Sequence, residues 1–403
     1  MKVQIFKPDY NFKYFLLLMQ SVLNSTEPPT PKETVNWQTV YDIAVGHSLG
    51  AMLYYAIDKL PKDLRPEESI LMYLRQMYRE QLVADLNLTV ETERMLKVLS
   101  DNGIPALPVK GINTKSDYPL PHLRSMTDVD VLVDFEKRLS VEKIFLQNGY
   151  EKEGVGEKDT SYRKDEILHF EMHTSLLSKE SPAFGYFSEI WDRVEYKENS
   201  KTAYMTLEDT YIFMLEHLAS HIEFGGAGIR MYMDVYVFNQ KHCHELNRAY
   251  VDKILKKILL SDFEKQTLLI CKNWFSGDEE IDVYSPVCQF ILHSCTFGRA
   301  DISFLSATLR EDKDGKSSAA KNGIVRILKK LFPKVSWMRL RYKAVDKLPV
   351  LYPVFVPVHW VEWLIIKRNV TTANIGDYFV SANSQKAVKL KEIFTAMGLE
   401  KRI

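Results

Sequence analysis

The stretch that most constrains the fold is Asp128-Val129-Asp130-Val131-Leu132-Val133-Asp134. β-branched residues alternate with carboxylates along it, the pattern of a strand with one face in a core. Residues two apart on a strand share a face, so Asp128 and Asp130 project together while Val129, Val131 and Val133 point inward. Neighbouring like charges repel. A hard divalent cation such as Mg²⁺ is the usual compensation, and it needs the carboxylate face to be exposed. Upstream, a shorter apolar run from Ile104 to Val109 ends in Lys110-Gly111. A glycine at a sharp turn between that strand and a short helix around Thr114 to Tyr118 leaves room for a phosphate to approach backbone N–H groups.

Helical spacing of large apolar residues precedes this region, over Asn11 to Leu23 and Trp37 to Leu60, with Pro28, Pro29 and Pro31 as a loop between them. Pro66 to Ser100 reads as a long helix, opened by Pro66 with Glu67 and Glu68 and closed at Gly103. From Ile104 the grammar changes to strands interleaved with one helix, Glu136 to Gln147, which stops at Asn148-Gly149. Tyr150 to Lys152, Ser161 to Lys164 and Ile167 to Thr174 are the further strands expected. After Pro182 helices return. Thr206 to Ile222 begins at a plausible N-cap, Thr206 with Asp209 three residues on, and Ile229 to Asn239 follows a break at Gly225, Gly226 and Gly228. The expected fold is a small mixed α/β sheet core embedded in a mostly helical chain. Its expected parts are an N-terminal helical region (1–100), the α/β core (101–200), a helical domain (201–300) and a C-terminal helical region (301–403) with a mobile loop at 310–322.

The ordered set Lys110-Gly111, Tyr118-Pro119, Arg124 and Asp128-Val129-Asp130-Val131-Leu132-Val133 resembles a bacterial family of uncharacterised nucleotidyltransferases, a branch of the polymerase-beta-like superfamily. The resemblance implies a nucleotidyltransferase α/β core. It also implies transfer of a nucleoside monophosphate from an NTP, ATP among the candidates, to an unknown hydroxyl-bearing acceptor with two Mg²⁺ ions. Asp128 and Asp130 are then metal ligands. Two-metal chemistry needs a third carboxylate, and the strand His169-Phe170-Glu171-Met172-His173 offers Glu171 on one face with His169 and His173. The family's hydrophobic-Glu-hydrophobic-His strand matches Glu171 and His173, making Asp128, Asp130 and Glu171 the expected catalytic and metal-binding set. Lys110, Gly111, Asn113 and Arg124 are the expected nucleotide-binding residues. The superfamily's Ser after the loop Gly is replaced by Ile112 and Asn113, so Lys110, as a cation, is expected to supply the missing triphosphate contact. The family's helical region also carries His-x-x-x-His, a Gly-rich turn, Arg and Asp. His217, His221, Arg230 and Asp234 match it, and with His173 they are cleft candidates.

Two other readings come from different classes. One is a non-catalytic nucleotide-binding or scaffold protein on the same fold. The other is a metal hydrolase built on His217, His221 and Asp234. The order around these histidines, Glu-His-x-x-x-His, is not the metalloprotease order, and tight zinc binding is not expected. His242-Cys243-His244 and Cys288 with His293 and Cys295 fall into no standard metal spacing.

Charge excludes little but argues for no nucleic-acid partner: 53 basic and 53 acidic residues cancel. Four scattered cysteines suggest reduced thiols in a cytoplasmic protein. No signal peptide is expected at the N-terminus, and no stretch reads as a transmembrane helix. Leu348 to Ile366 comes nearest, but it holds Pro349, Pro353 and Pro357 together with His359 and Glu362. The basic run Lys329, Lys330, Lys334, Arg339, Arg341 and Lys343, with Leu331, Phe332 and Trp337 between the charges, reads as a solvated helical face. Peripheral membrane contact is its alternative.

Overall fold

The computed structural model describes residues 9–156, 158–277, 280–296, 298–311, 328, 331–365 and 384–402. The N-terminal region forms α1 (Tyr10–Leu23), α2 (Trp37–Gly46), α3 (Gly50–Ile57) and the long α4 (Glu68–Asp101). Asp9 caps α1 by accepting from the amides of Asn11 and Phe12, and Asn36 caps α2 through the amide of Thr39. The single helix expected over Trp37 to Leu60 is two helices. Ser48 takes φ +57° between them, and the preceding His47 bonds to parts of the chain far away in sequence. Its Nδ1 accepts from the Ile229 amide at 3.2 Å and its Nε2–H donates to the Leu292 carbonyl at 3.1 Å.

Five strands follow: β1 (Ala106–Val109), β2 (Val129–Val133), β3 (Glu151–Val155), β4 (Asp159–Lys164) and β5 (Leu168–His173), in the order β1-β2-β5-β4-β3. β2 and β5 are parallel and the other pairs antiparallel. Between β1 and β2 lies α5 (Gly111–Thr114) and between β2 and β3 lies α6 (Arg138–Gln147), ended by Gly149 at φ +83°. One face of the sheet packs Val129, Val131, Val133, Phe170, Met172 and Tyr162 against Leu88, Met95 and Leu99 of α4 and Val141, Ile144 and Phe145 of α6.

The other face is covered too. Leu107, Val109 and Leu132 join the larger core built with α1 to α3 and the helices after the sheet. These are α7 (Phe184–Phe187), α8 (Leu207–Phe224), α9 (Ile229–His242), α10 (Arg248–Lys257), α11 (Ser261–Phe275), α12 (Pro286–Ser294) and α13 (Ala300–Glu311). Thr206 caps α8 as expected, accepting from the Asp209 amide at 3.1 Å. Every residue of β2 is therefore buried, Asp130 included at 6% exposure. The exposed carboxylate face read from the alternation of β2 is corrected: helices remote in sequence roof the central strand pair, as is usual for parallel pairing.

Arg310 and Glu311 of the expected mobile loop belong to α13, and residues 312–322 lie outside the described residues. So do Lys329 and Lys330 of the basic run, while Arg339 and Arg341 lie on helix Val335–Arg341, Lys334 just before it, and Lys343 opens helix Lys343–Lys347. The proline-rich stretch folds as a 3₁₀ turn, Pro349–Leu351, and helix Tyr352–Ile365 with Pro357 inside it. Among the described residues no helix is long and apolar enough to cross a membrane.

Candidate active site

The site is assembled where β1, β2 and β5 lie side by side. The sharp turn expected at Gly111 falls one residue earlier. Lys110 leaves β1 with φ +60° and ψ −133°, and Gly111 opens α5. Such a backbone is costly for a residue with a Cβ and persists only where its surroundings demand it. Here it turns the Lys110 side chain back over the sheet, placing Nζ 2.6 Å from Asp130 Oδ1. Gly111 is constrained differently: any Cβ there would collide with the Arg124 guanidinium and press on Met126. Asn113 donates to the Pro108 carbonyl at 2.7 Å and the Thr114 hydroxyl to the Lys110 carbonyl at 3.1 Å. Both side chains thus serve the turn itself, while the Lys110 side chain is turned to Asp130.

Asp130 is paired in register with Glu171 on β5, and His173 lies two residues further on the same face. Asp130, Glu171 and His173 each offer a ligand atom within 4.8 Å of the others. His173 Nε2 donates to Asp130 Oδ1 at 2.7 Å and stands 3.6 Å from Glu171 Oε2, while its buried Nδ1 has no partner among the described residues. Burial alone would raise the Asp130 pKa, but the His173 hydrogen bond and the Lys110 charge lower it to about 2. Glu171 moves the other way. Burial, then the charges of Asp130 and Asp128, hold its carboxyl above the usual range. Asp128 precedes β2, is half-buried, and acts on the group through its charge rather than by joining the close trio. The donor chemistry fits a hard divalent cation. A buried and a half-buried carboxylate face one another with a third charge beside them, and their mutual repulsion is the electrostatic demand such an ion would meet.

Helices α8 and α9 supply the opposite wall. Asp234 of α9 grips Arg124 in a two-point pair, 2.7 Å to Nη2 and 3.2 Å to Nε, and accepts from the Tyr118 hydroxyl at 2.7 Å. Arg230 donates to both the carbonyl and the hydroxyl of Ser125 at 2.9 Å. Its pKa is lowered to about 10 by burial and then by Arg124. His217 and His221 of α8 are edge-to-face neighbours, ring centroids 4.5 Å apart. Burial, then the charge of Lys110, lowers His221 to about 4 and His217 well below its usual range. Both rings are neutral at pH 7 and lie in the field of the Lys110 loop. Among the described residues His217, His221 and Asp234 do not form a metal-ligating group. The hydrolase reading therefore lacks its third ligand, because Asp234 is committed to Arg124 and Tyr118.

One residue of the cleft went unread in the sequence. Lys158, just before β4, has its carbonyl bound by the Thr174 amide at 2.8 Å and its Nζ 3.4 Å from the Leu176 carbonyl. Its pKa is lowered by burial and then by Lys110. No motif marks it, and only the β4–β5 pairing, which sets it opposite Thr174, brings its charge into the field of Lys110.

A mixed five-stranded sheet with a Lys-Gly turn after its first strand and facing carboxylates on its central parallel pair is the core of a nucleotidyltransferase. Residues 33–276 match the family described as uncharacterised nucleotidyltransferase, and the chain belongs to that family. Comparison with curated proteins and with solved structures finds no match.

Proposed function

We propose that the protein transfers a nucleoside monophosphate from an NTP to an acceptor hydroxyl. The observation that carries this reading is the register pairing of Asp130 with Glu171, which brings the two carboxylates and His173 within 4.8 Å of one another. Glu171 is the general base: it takes the acceptor proton, the acceptor oxygen bonds to the α-phosphorus, and the α–β bridge oxygen leaves with pyrophosphate. Asp130, oriented by His173, and Glu171 would hold Mg²⁺ with Asp128 beside them. Such an ion would supply neutralisation of phosphate charge and polarisation of the reacting oxygens. Lys110, turned over the sheet beside Asp130, is the loop cation that would meet the triphosphate. Arg124, fixed by Asp234, shapes the floor under Gly111.

The test is incubation with α-labelled NTPs, Mg²⁺ and a cell extract, in the wild type and in Glu171→Gln. Label should move to an acceptor with release of pyrophosphate, and Glu171→Gln should lower the rate at least about 100-fold. The same variant should melt at a higher temperature at pH 7, because it removes a carboxylate held against its repulsion. Mg²⁺ should raise the melting temperature of the wild type more than that of the variant. Nucleotide binding with no label transferred to any acceptor would instead favour the scaffold reading, which the Lys110–Asp130 pair, sitting where a cation belongs, also accommodates.

A further inference from the structure

From Tyr352 to Val361 the helix Tyr352–Ile365 is apolar all round apart from His359. A helix of that kind is normally buried, and one at a surface normally turns polar residues to water. This one is buried on one side only. Its inner side, Tyr352, Phe355, Val356 and Trp360, packs with Met338 and Val345 in a small core separate from the two around the sheet. Its outer side carries Pro353, Val354, Pro357, Val358 and Val361, every one exposed. The three valines are spaced four and three residues apart and so share a face. The stripe continues back into the preceding turn, where Leu348 is exposed and Val350 is 80% exposed. Single exposed apolar residues are ordinary, but a contiguous set marks an interaction surface.

The exposed charges around this stripe have one sign. From 331 to 361, among the residues whose side chains are described, the exposed charged residues are Lys334, Arg339, Arg341 and Lys347, and none is acidic. Over the whole chain, by contrast, 53 basic and 53 acidic residues cancel. Two of the bases stand at one end of the stripe. Lys347 directly precedes Leu348. Lys334 follows Pro333, whose carbonyl accepts from the Tyr352 hydroxyl at 2.9 Å at the start of the helix. The segment before Lys334 runs on along the helix: Trp360 Nε1–H donates to the Leu331 carbonyl at 2.6 Å, and the exposed Phe332 stands edge-on to the Trp360 ring at 5.6 Å.

One kind of partner fits both features. The interface of an anionic bilayer offers acyl chains to valines and phosphate headgroups to lysines. A nucleic acid would pair with the bases and leave the valines in water. A second copy of the chain would cover the valines through a two-fold contact but bring the two sets of bases together. Among the described residues no helix is long and apolar enough to cross a membrane, so the contact is one of lying on the surface.

We propose that residues 331–361 seat the protein on an anionic lipid bilayer, with Val350, Val354, Val358 and Val361 at the acyl boundary and Lys334 and Lys347 at the headgroups. This inference does not rest on the nucleotidyltransferase reading.

The experiment is flotation of the full-length protein with vesicles of phosphatidylcholine alone or with phosphatidylglycerol added, at low and high salt. The protein should float with the anionic vesicles and at least about tenfold less with the neutral ones, and salt should weaken the association. Replacing Val350, Val354 and Val361 together by serine should lower partition at least about tenfold at an unchanged melting temperature, since all three are exposed. Lys334→Gln and Lys347→Gln should each weaken anionic-vesicle binding about fivefold and flatten its salt dependence. These variants carry the test even if the serine variant fails to fold. Leu86→Ser with Val90→Ser, exposed apolar residues of α4, should change nothing. Absence of flotation, flotation indifferent to the serine and lysine variants, or an equal loss in the α4 variant would overturn the proposal. So would a dimer that the serine variant dissociates, which would assign the stripe to a second copy. Retention on nucleic acid without flotation, lost in the lysine variants, would assign the bases to that partner instead.

Discussion

Asp130 shows how a residue's surroundings can reverse an expectation drawn from its neighbours in sequence. Seen as one of two like charges on an exposed strand, it should be dispensable for folding, and Asp130→Asn should relieve repulsion. In the fold it is buried at 6% exposure and bonded to both Lys110 and His173. Its pKa is lowered from 3.8 to about 2, a difference equivalent to about 2 kcal/mol of stability. Because the folded value lies below the unfolded one, that stability is fully present above pH 3.8 and is lost as pH falls toward 2. Asp130→Asn should therefore unfold at lower urea concentration than the wild type at pH 7, and the gap should narrow between about pH 4 and pH 2. Denaturation curves across that range check it, and a gap independent of pH would show that packing rather than charge is lost. The residue types of the site were legible from the alternation of β2 and β5. Their pairing was not, because a lysine at positive φ reaches Asp130 across the antiparallel β1–β2 pair, and a histidine forty-three residues away only through the parallel β2–β5 register.

At the scale of elements, most boundaries follow from local chemistry. α4 ends at Asn102 and a left-handed Gly103, α6 at Gly149, and α8 begins at the Thr206 cap. Two elements departed for tertiary reasons. The α2–α3 break is set by His47 bridging the start of α9 and the end of α12, which no local pattern in residues 37–60 encodes. The β1–α5 turn puts its strain on Lys110 because Gly111 is already needed to admit the Arg124 guanidinium. This gives a prediction for the element. Gly111→Ala cannot be absorbed by moving Arg124 alone, since Asp234 and the Ser125 carbonyl hold that guanidinium at three points. The variant should lose roughly 1–3 kcal/mol of stability by overpacking and bind nucleotide more weakly. Urea titration checks the first part, and an unchanged midpoint would mean that Arg124 yields.

One helix of the cleft wall, α8, is fixed by a contact from residue 402. Arg402, its side chain 1% exposed, bonds Glu216 at 2.8 and 2.9 Å, Glu223 at 2.5 Å and the Ile258 carbonyl at 3.1 Å. Glu216 and Glu223 lie on α8, the helix that presents His217 and His221 to the cleft. Removing one partner from such a buried cluster leaves the others uncompensated, so Arg402→Met should cost on the order of 3–5 kcal/mol. Thermal unfolding measures this, and a loss below about 1 kcal/mol would show that α8 is held without the clamp. By itself the sequence determined the strand carrying Asp130, the strand carrying Glu171 and His173, the caps of the main helices and the family to which these motifs point. All of these depend on periodicity and on residues within a few positions of one another. Only the tertiary structure decided that the carboxylate face is roofed, that Lys110 and His173 are the partners of Asp130, and that helices α8 and α9 wall the cleft. Those facts depend on strand order and on helices packed from remote parts of the chain, and local spacing carries no record of either.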